Sequence, residues 1–458
     1  MLCDLEENKQ KEMQNMDVKM MTELLENKQY MKIRQEINEI NSVDIAEMLE
    51  DFSDENMVIL FRLISKETAA DVFTNMNSDQ QEELINTFTE KELKEIFEDM
   101  YLDDTVDVLE ELPANVVERI LNITDKETRS RINELLQYPE DSAGSIMTTE
   151  YVDLKKNMTV REALDKIRRV GIDQETIYTC YVIENKKLQG IVTAKSLMLN
   201  DENTKIEDIM ETHLIYVKTH DDQEEVSKLF QKYRLIAVPV VDTENCMVGI
   251  VTFDDAMEVY QEEITEDISL MAAVSPSDDS YFGTSVFSHA KHRIVWLLFL
   301  MLSATITGTI ISSYEETIAS IPLLVSFIPM LMDTGGNCGT QSSTLVIRGI
   351  ATDEIGFGDV FKVAFKECRI SMIVGAALAM VNGARIMLMY HDPLLAVLLG
   401  ISLMFTVFLA EMIGCLLPML AKKVHLDPAI MAAPLITTIV DTCSIIIYFN
   451  IATTLFNL

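Results

Sequence analysis

The 458-residue sequence predicts a mainly α-helical protein: a cytosolic α-superhelical repeat domain, a duplicated α/β module, a connecting helix and a five-helix transmembrane bundle. Three observations carry that prediction. The C-terminal part holds apolar stretches long enough to cross a bilayer. Residues 41–136 repeat every 12 residues, and two later stretches share one strand-and-helix pattern.

Ile294 to Tyr314 is uncharged for 21 residues and reads as the first span. The second runs from Thr317 to Ile347, broken only by Asp333. The third begins at Ile370 and continues past Arg385 toward Tyr390. The fourth, Pro393 to Ala421, contains Glu411, and the fifth, Pro428 to Leu458, contains Asp441. Lys291, Arg293, Arg348, Lys362, Lys366, Arg369, Lys422 and Lys423 all fall on one side, with only Arg385 near the other. Basic residues gather on the cytosolic face. A multi-pass protein of the plasma (cell inner) membrane follows, with its N-terminal half in the cytosol, its C-terminus outside and lipid around the bundle.

The charge is divided sharply. Of 74 acidic and 37 basic residues, 11 and 9 lie from Tyr281 onward, leaving 63 and 28 in the first 280 residues, a net of −35. Such a surface repels nucleic acid and attracts cations. Seven cysteines (Cys3, Cys180, Cys246, Cys338, Cys368, Cys415, Cys443) show neither disulfide nor zinc spacing, as expected of a domain folding in a reducing compartment. The N-terminus, with Asp4, Glu6 and Glu7 and no apolar run, does not read as a signal peptide. No nucleophile–base set or phosphate loop suggests an enzyme.

Each 12-residue unit opens on a capping or helix-starting residue (Asn41, Ser53, Ser65, Asn77, Thr89, Asp103, Pro113, Asp125) and continues with apolar residues at helical spacing. Helices of about two turns cannot bury their apolar stripes alone, so they must stack as a solenoid. From Gly144 the pattern changes. Met147, TIYTCYVIE and GIVTAKSLM form one copy of a module; Met210, IAVPVVDTE and GIVTFDDAM form a second. These resemble cystathionine-β-synthase-type (CBS) repeats, whose pairs form regulatory modules. Ser196 stands where many nucleotide-binding copies hold the ribose with an acid, a departure that bears on any adenine nucleotide. The expected boundaries are 1–137 for the helical domain, 138–200 and 201–253 for the two repeats, 254–280 for the connecting segment and 281–458 for the membrane domain.

Asp254 to Leu270 holds seven carboxylates and no basic residue; as a helix it stacks Asp255, Glu258, Glu262 and Glu266 on one stripe. Beside a pore mouth such a stripe reads as a cation-binding gate, elsewhere as a solvated connector. Within the membrane, Asp333, Glu411 and Asp441 are costly unless they line an ion path or find partners. Glycines 335, 336 and 339 in span two suit either close helix packing or a broken helix that exposes carbonyl oxygens. Oxygen donors without a His or Cys cluster favour a hard cation, Mg²⁺ ahead of Mn²⁺ or Co²⁺.

The order of these parts resembles the MgtE family of bacterial Mg²⁺ channels. The specific matches are GGNCGTQSSTLVIRG at Gly335–Gly349, VTFDDAMEV and EEITEDI around the connecting helix, and DPAIMAAPLITTIVD ending at Asp441. The resemblance implies a homodimer with Mg²⁺ as substrate and regulator, a pore lined by spans two and five, and Asp441 as the pore acid. It implies regulatory sites at Asp71, Asp103, Asp107, Gly144, Asp222, Glu224, Asp255, Glu258, Glu263, Glu266, Asp267 and Asp427. Arg234 replaces a family acid, Asp333 a Gly, and Ala433 and Glu411 an Asn each. A Na⁺- or H⁺-coupled exchanger on the same scaffold is the alternative reading.

Overall fold

The computed structural model describes residues 18–277, 281, 284–424, 426–431 and 433–457; Cys3, Asp4, Glu6 and Glu7 lie outside them. The chain divides into two compact units, Met1–Tyr260 and Gln261–Leu458.

The first unit opens with helices α1 (18–26) and α2 (Tyr30–Ile37). The 12-residue repeat then appears as eight helices: α3 (Ser42–Glu50), α4 (Asp54–Phe61), α5 (Lys66–Thr74), α6 (Ser78–Thr87), α7 (Glu90–Phe97), α8 (Leu102–Glu111), α9 (Ala114–Ile123) and α10 (Lys126–Leu135). The caps explain the phase. The side chains of Asn41, Asn77 and Asp125 accept from first-turn amides, and Thr89 with Glu92 forms a reciprocal capping box. One expectation fails. Tyr101, in extended backbone, is the N-cap of α8, and Asp103 lies inside the first turn. Its carboxylate is therefore not committed to a cap.

Short helices bury one stripe each. Phe61, Phe73, Phe88 and Phe97 meet edge-on along the solenoid axis at ring separations of 5.7–6.3 Å. The same core runs on into Val217, Val226, Phe230, Val238 and Val251 of the second CBS repeat. The repeats themselves are two three-stranded sheets. In the first, β1 (Tyr151–Leu154) pairs parallel with β2 (Thr176–Glu184), and β2 pairs antiparallel with β3 (Lys187–Thr193). β4 (Val217–Lys218), β5 (Ala237–Val241) and β6 (Met247–Thr252) repeat that topology. Helices α11 (Val160–Val170) and α12 (Ala194–Leu199) accompany the first sheet; α13 (Ile206–Ile209) and α14 (Gln223–Tyr233) precede β5. The acidic segment is one helix, α15 (Phe253–Met271), beginning directly after β6.

The second unit contains α16 (Val286–Ser313), α17 (Glu315–Ser320), α18 (Ile328–Ala351), α19 (Val360–Tyr390), α20 (Pro393–Lys423) and α21 (Ala433–Phe456). Among the described residues, four of its segments are long and apolar enough to cross a membrane: Val286–Ser313, Val360–Tyr390, Pro393–Lys423 and Pro428–Phe456. The expected second span differs. The stretch from Thr317 is split into α17, a 3₁₀ turn (Pro322–Phe327) and α18, because Pro322 and Pro329 each start a new helix. At 24 residues α18 is long enough to span, but its polar content sets it apart from the other four. The third span starts ten residues earlier than expected, so Lys362, Lys366 and Glu367 fall inside α19.

The glycines of α18 serve packing. The helix is unbroken, and a Cβ at Gly335 would lie 2.8 Å from Thr406 and 2.9 Å from Val440, while one at Gly339 would lie 2.8 Å from Ile436. A Cβ at Gly414 of α20 would run into the carbonyl oxygen of Gly339. The backbones of α18 and α20 therefore touch, as small residues permit in membrane bundles. Gly414→Ala should destabilise the unit by about 1–3 kcal/mol or more, whereas Gly308→Ala, where a Cβ meets nothing within 4 Å, should be silent. Thermal unfolding of the full chain in detergent compares the two.

Candidate functional site: an acidic nest and an intramembrane acid

Three parts of the first unit bring carboxylates together. α8 supplies Asp103, Asp104 and Asp107. The first turns of α15 supply Asp254, Asp255 and Glu258. Glu175, whose amide donates to the Glu150 carbonyl at 3.0 Å, enters from the start of β2. Thr252 anchors the α15 side: its hydroxyl lies 2.5 Å from Asp254 Oδ1 and 2.6 Å from Asp255 Oδ2, with one hydrogen to share between them, and its amide donates to Asp255 Oδ2 at 3.2 Å.

The electrostatics are uniform in sign. Asp103 is only 6 % exposed, and its Oδ1 is buried without a hydrogen-bond partner. Burial, and then the charges of Asp255, Asp104 and Glu175, hold its carboxyl well above the usual range. Burial and Asp255 raise Asp104 to about 7. Asp107 keeps a solvent-facing edge, yet crowding by its surroundings and then Asp255 raise it to about 8. Burial and the charges of Asp255 and Asp254 raise Glu175 to about 8. Asp255 reaches about 6, its burial partly offset by Thr252. Asp71, on α5, is raised by burial and adds to the repulsion on Asp104.

The other expected regulatory residues fall elsewhere. Asp222 caps α14 through the amide of Glu224 at 2.9 Å, and Glu224 pairs with Lys228 at 2.8 Å. Both therefore have local structural roles. Gly144 lies next to them: its amide donates to Thr219 at 3.0 Å, and a Cβ there would lie 2.6 Å from the Tyr138 ring. Arg234, in left-handed backbone, closes α14. Glu263, Glu266 and Asp267 lie on the second half of α15, and Asp427 accepts from the Ala429 amide at 2.7 Å to start a 3₁₀ turn. Asp104 and Glu175 were not among the expected site residues. Asp104 lies inside the quoted YLDDTVD segment, whereas Glu175 follows a helix–turn whose sequence carries no sign of the nest.

In the second unit Asp441 is half-buried on α21, close enough to Asp333 of α18 for the two charges to repel. The next residue, Thr442, shares a hydrogen bond of 2.9 Å with Thr307 of α16. Glu411 is buried on α20, and its Oε2 has no partner. Expected as a candidate hydrogen-bonded interhelical acid, it engages its neighbour only through its backbone carbonyl.

An apolar helical unit carrying buried acids thus follows, in the chain, a unit of paired strand-and-helix repeats rich in carboxylates. The MgtE pattern, described as a divalent cation transporter, matches residues 328–451; the MgtE intracellular N domain matches 40–141, and CBS domains match 143–201 and 206–262. The magnesium transporter MgtE of Thermus thermophilus is 34% identical over 92% of this chain and 94% of its own, and that of Bacillus subtilis 31% over 92% and 93%. A crystal structure of the cytosolic domain of the Mg²⁺ channel MgtE in complex with ATP matches at a TM-score of 0.50 and 35% identity, covering 52% of this chain and 98% of that one. The chain belongs to the MgtE family of magnesium transporters. It is a transporter and not an enzyme.

The nest has a direct consequence for stability. Each raised carboxyl favours its protonated form in the folded state, so its contribution is fully present below about pH 4 and is lost as pH rises through the folded values of about 6 to 8. In chelator, the unfolding midpoint of the purified chain should fall as pH rises across that window. Millimolar Mg²⁺ should restore it at the alkaline end. A flat chelator profile would show that the nest carboxyls are not crowded.

Proposed function

We propose that the protein is a Mg²⁺-selective channel for Mg²⁺ uptake, acting as a homodimer whose conducting path runs beside α18 and α21 with Asp441 in it. Its gate closes when cytosolic Mg²⁺ neutralises the acidic nest. The observation that carries this reading is the orphaned, buried Oδ1 of Asp103 inside a ring of like charges. A hard, oxygen-seeking dication is the ligand that such a donor set fits. Among the described residues no three Asp, Glu, His or Cys side chains converge closely enough to hold a metal ion directly. A hydrated Mg²⁺, reaching the carboxylates through its own waters, matches that spacing.

Mechanistically, Asp103, Asp104 and Asp107 repel Asp254, Asp255, Glu258 and Glu175 when no cation is present. Mg²⁺ between them binds the compact arrangement better than a splayed one and shifts the population toward it. Asp71, and separately Gly144 with Asp222 and Glu224, would take further ions. Because α15 is continuous from Phe253 to Met271, movement of its first turn carries along Glu263, Glu266 and Asp267 on its second half. With Asp427, these are the proposed links to the pore.

Asp441→Asn should reduce Mg²⁺ flux into liposomes by roughly tenfold or more, since a loss of about 1.4 kcal/mol of charge stabilisation already gives that factor. Normal flux would remove Asp441 from the path. Replacing Asp103 and Asp107 together by Asn should leave channels open at cytosolic Mg²⁺ concentrations that close the parent. An unchanged closing concentration would reject the nest as sensor.

A further inference from the structure

A second pair of acids lies in the membrane unit away from Asp441. Ser342 of α18, Glu367 of α19 and Glu411 of α20 meet where these helices pack. Glu367 is 7 % exposed and Glu411 5 %. The two carboxylates are close enough to repel. Among the described residues, no Lys, Arg or His forms an ion pair with either. The titratable groups facing them from the packed helices are two thiols, Cys338 of α18 and Cys415 of α20. Neither supplies positive charge.

Hydrogen-bond accounting makes the site specific. Ser342 Oγ lies 2.7 Å from Glu367 Oε2 and 3.2 Å from the Glu411 carbonyl oxygen. A hydroxyl has one hydrogen to donate and accepts through its lone pairs. That hydrogen goes to Glu367, because the Glu411 carbonyl lies inside α20 and already accepts from its own helix. The Glu411 side chain beside it receives no such hydrogen. Its Oε2, buried without a partner, needs a hydrogen, and a proton on that carboxyl supplies it. Two ionised carboxylates buried side by side with no counter-charge are costly.

The place is built rather than incidental. The backbone contact of Gly339 and Gly414 leaves no room for side chains between α18 and α20 one turn away, so Ser342 is pressed against the α20 backbone. Cys338, Val407, Ala410, Ile436 and Val440 form an apolar cluster toward α21, the helix that carries Asp441. The pair is thus insulated from the proposed path for Mg²⁺.

We propose that Glu367, Ser342 and Glu411 form an intramembrane proton-binding site, separate from the acid at Asp441. Its ligand is a proton, taken up and released without any other change in bonding. Loss of the proton leaves two like charges across the α19–α20 contact and pushes those helices apart. The site stands independently of the gating scheme and of Asp441.

The test is infrared spectroscopy of the full-length protein in lipid at neutral pH, read in the protonated-carboxyl stretching region. Glu411→Gln and Glu367→Gln are compared with the parent, each first checked as monodisperse by gel filtration. The expected result is loss of a protonated-carboxyl band in at least one variant, together with loss of that band's shift on exchange into heavy water. Having two variants keeps the question open to an answer if one fails to fold. Spectra in this region identical in the parent and both variants would overturn the proposal. So would a parent band that appears only when sodium is replaced by choline, since sodium would then be the native occupant. Asp441→Asn, measured alongside, should leave the band intact and so separates this site from the pore acid.

Discussion

Repulsion between carboxylates is the constraint on which the cytosolic unit depends. Seven acids from α8, α15 and the edge of β2 face one another, and among the described residues none of them forms an ion pair with a basic side chain. A folded domain tolerates this only if protons or cations share the space, because the unscreened cost grows as water is excluded. The solenoid and the CBS pair supply the rest of the stability through one continuous apolar core, from Met21 to Ala256. That core holds the nest assembled.

Much of this was legible in the residues. The 12-residue period located all eight helices of α3–α10, since caps at Asn41, Asn77, Thr89 and Asp125 set the phase locally. The duplicated Gly-Ile-Val-Thr strands located both sheets. Asp103 was misplaced because two acids follow Tyr101 and either satisfies a cap rule; only the extended backbone of Tyr101 decides between them. Glu175 was out of reach. Its role depends on a sheet edge being carried against α8 and α15, a long-range arrangement that leaves no period or motif behind.

The membrane unit divides similarly. The apolar lengths of α16, α19, α20 and α21 follow from composition. The break before α18 follows from prolines whose effect was underweighted beside a long apolar run. Glu367 sits between Lys366 and Arg369, two of the basic residues that mark the cytosolic side in the sequence. On the helix, those basic side chains are exposed while Glu367 turns inward. Helical phase, rather than local composition, separates the buried acid from its exposed neighbours.

The regular spacing of the solenoid also bears on how such a domain changes over evolutionary time. Each 12-residue unit is one helix with its own cap and its own share of the core, so neighbouring units make most of the contacts a unit needs. Loss or gain of a whole unit ahead of α8 would shorten or lengthen the arm and leave the phase of the remaining helices intact. A change of any other length would rotate every later apolar stripe out of the core. The arm is therefore free to vary in length only in whole units, while α8, which places its acids opposite α15, has to be kept in any such change.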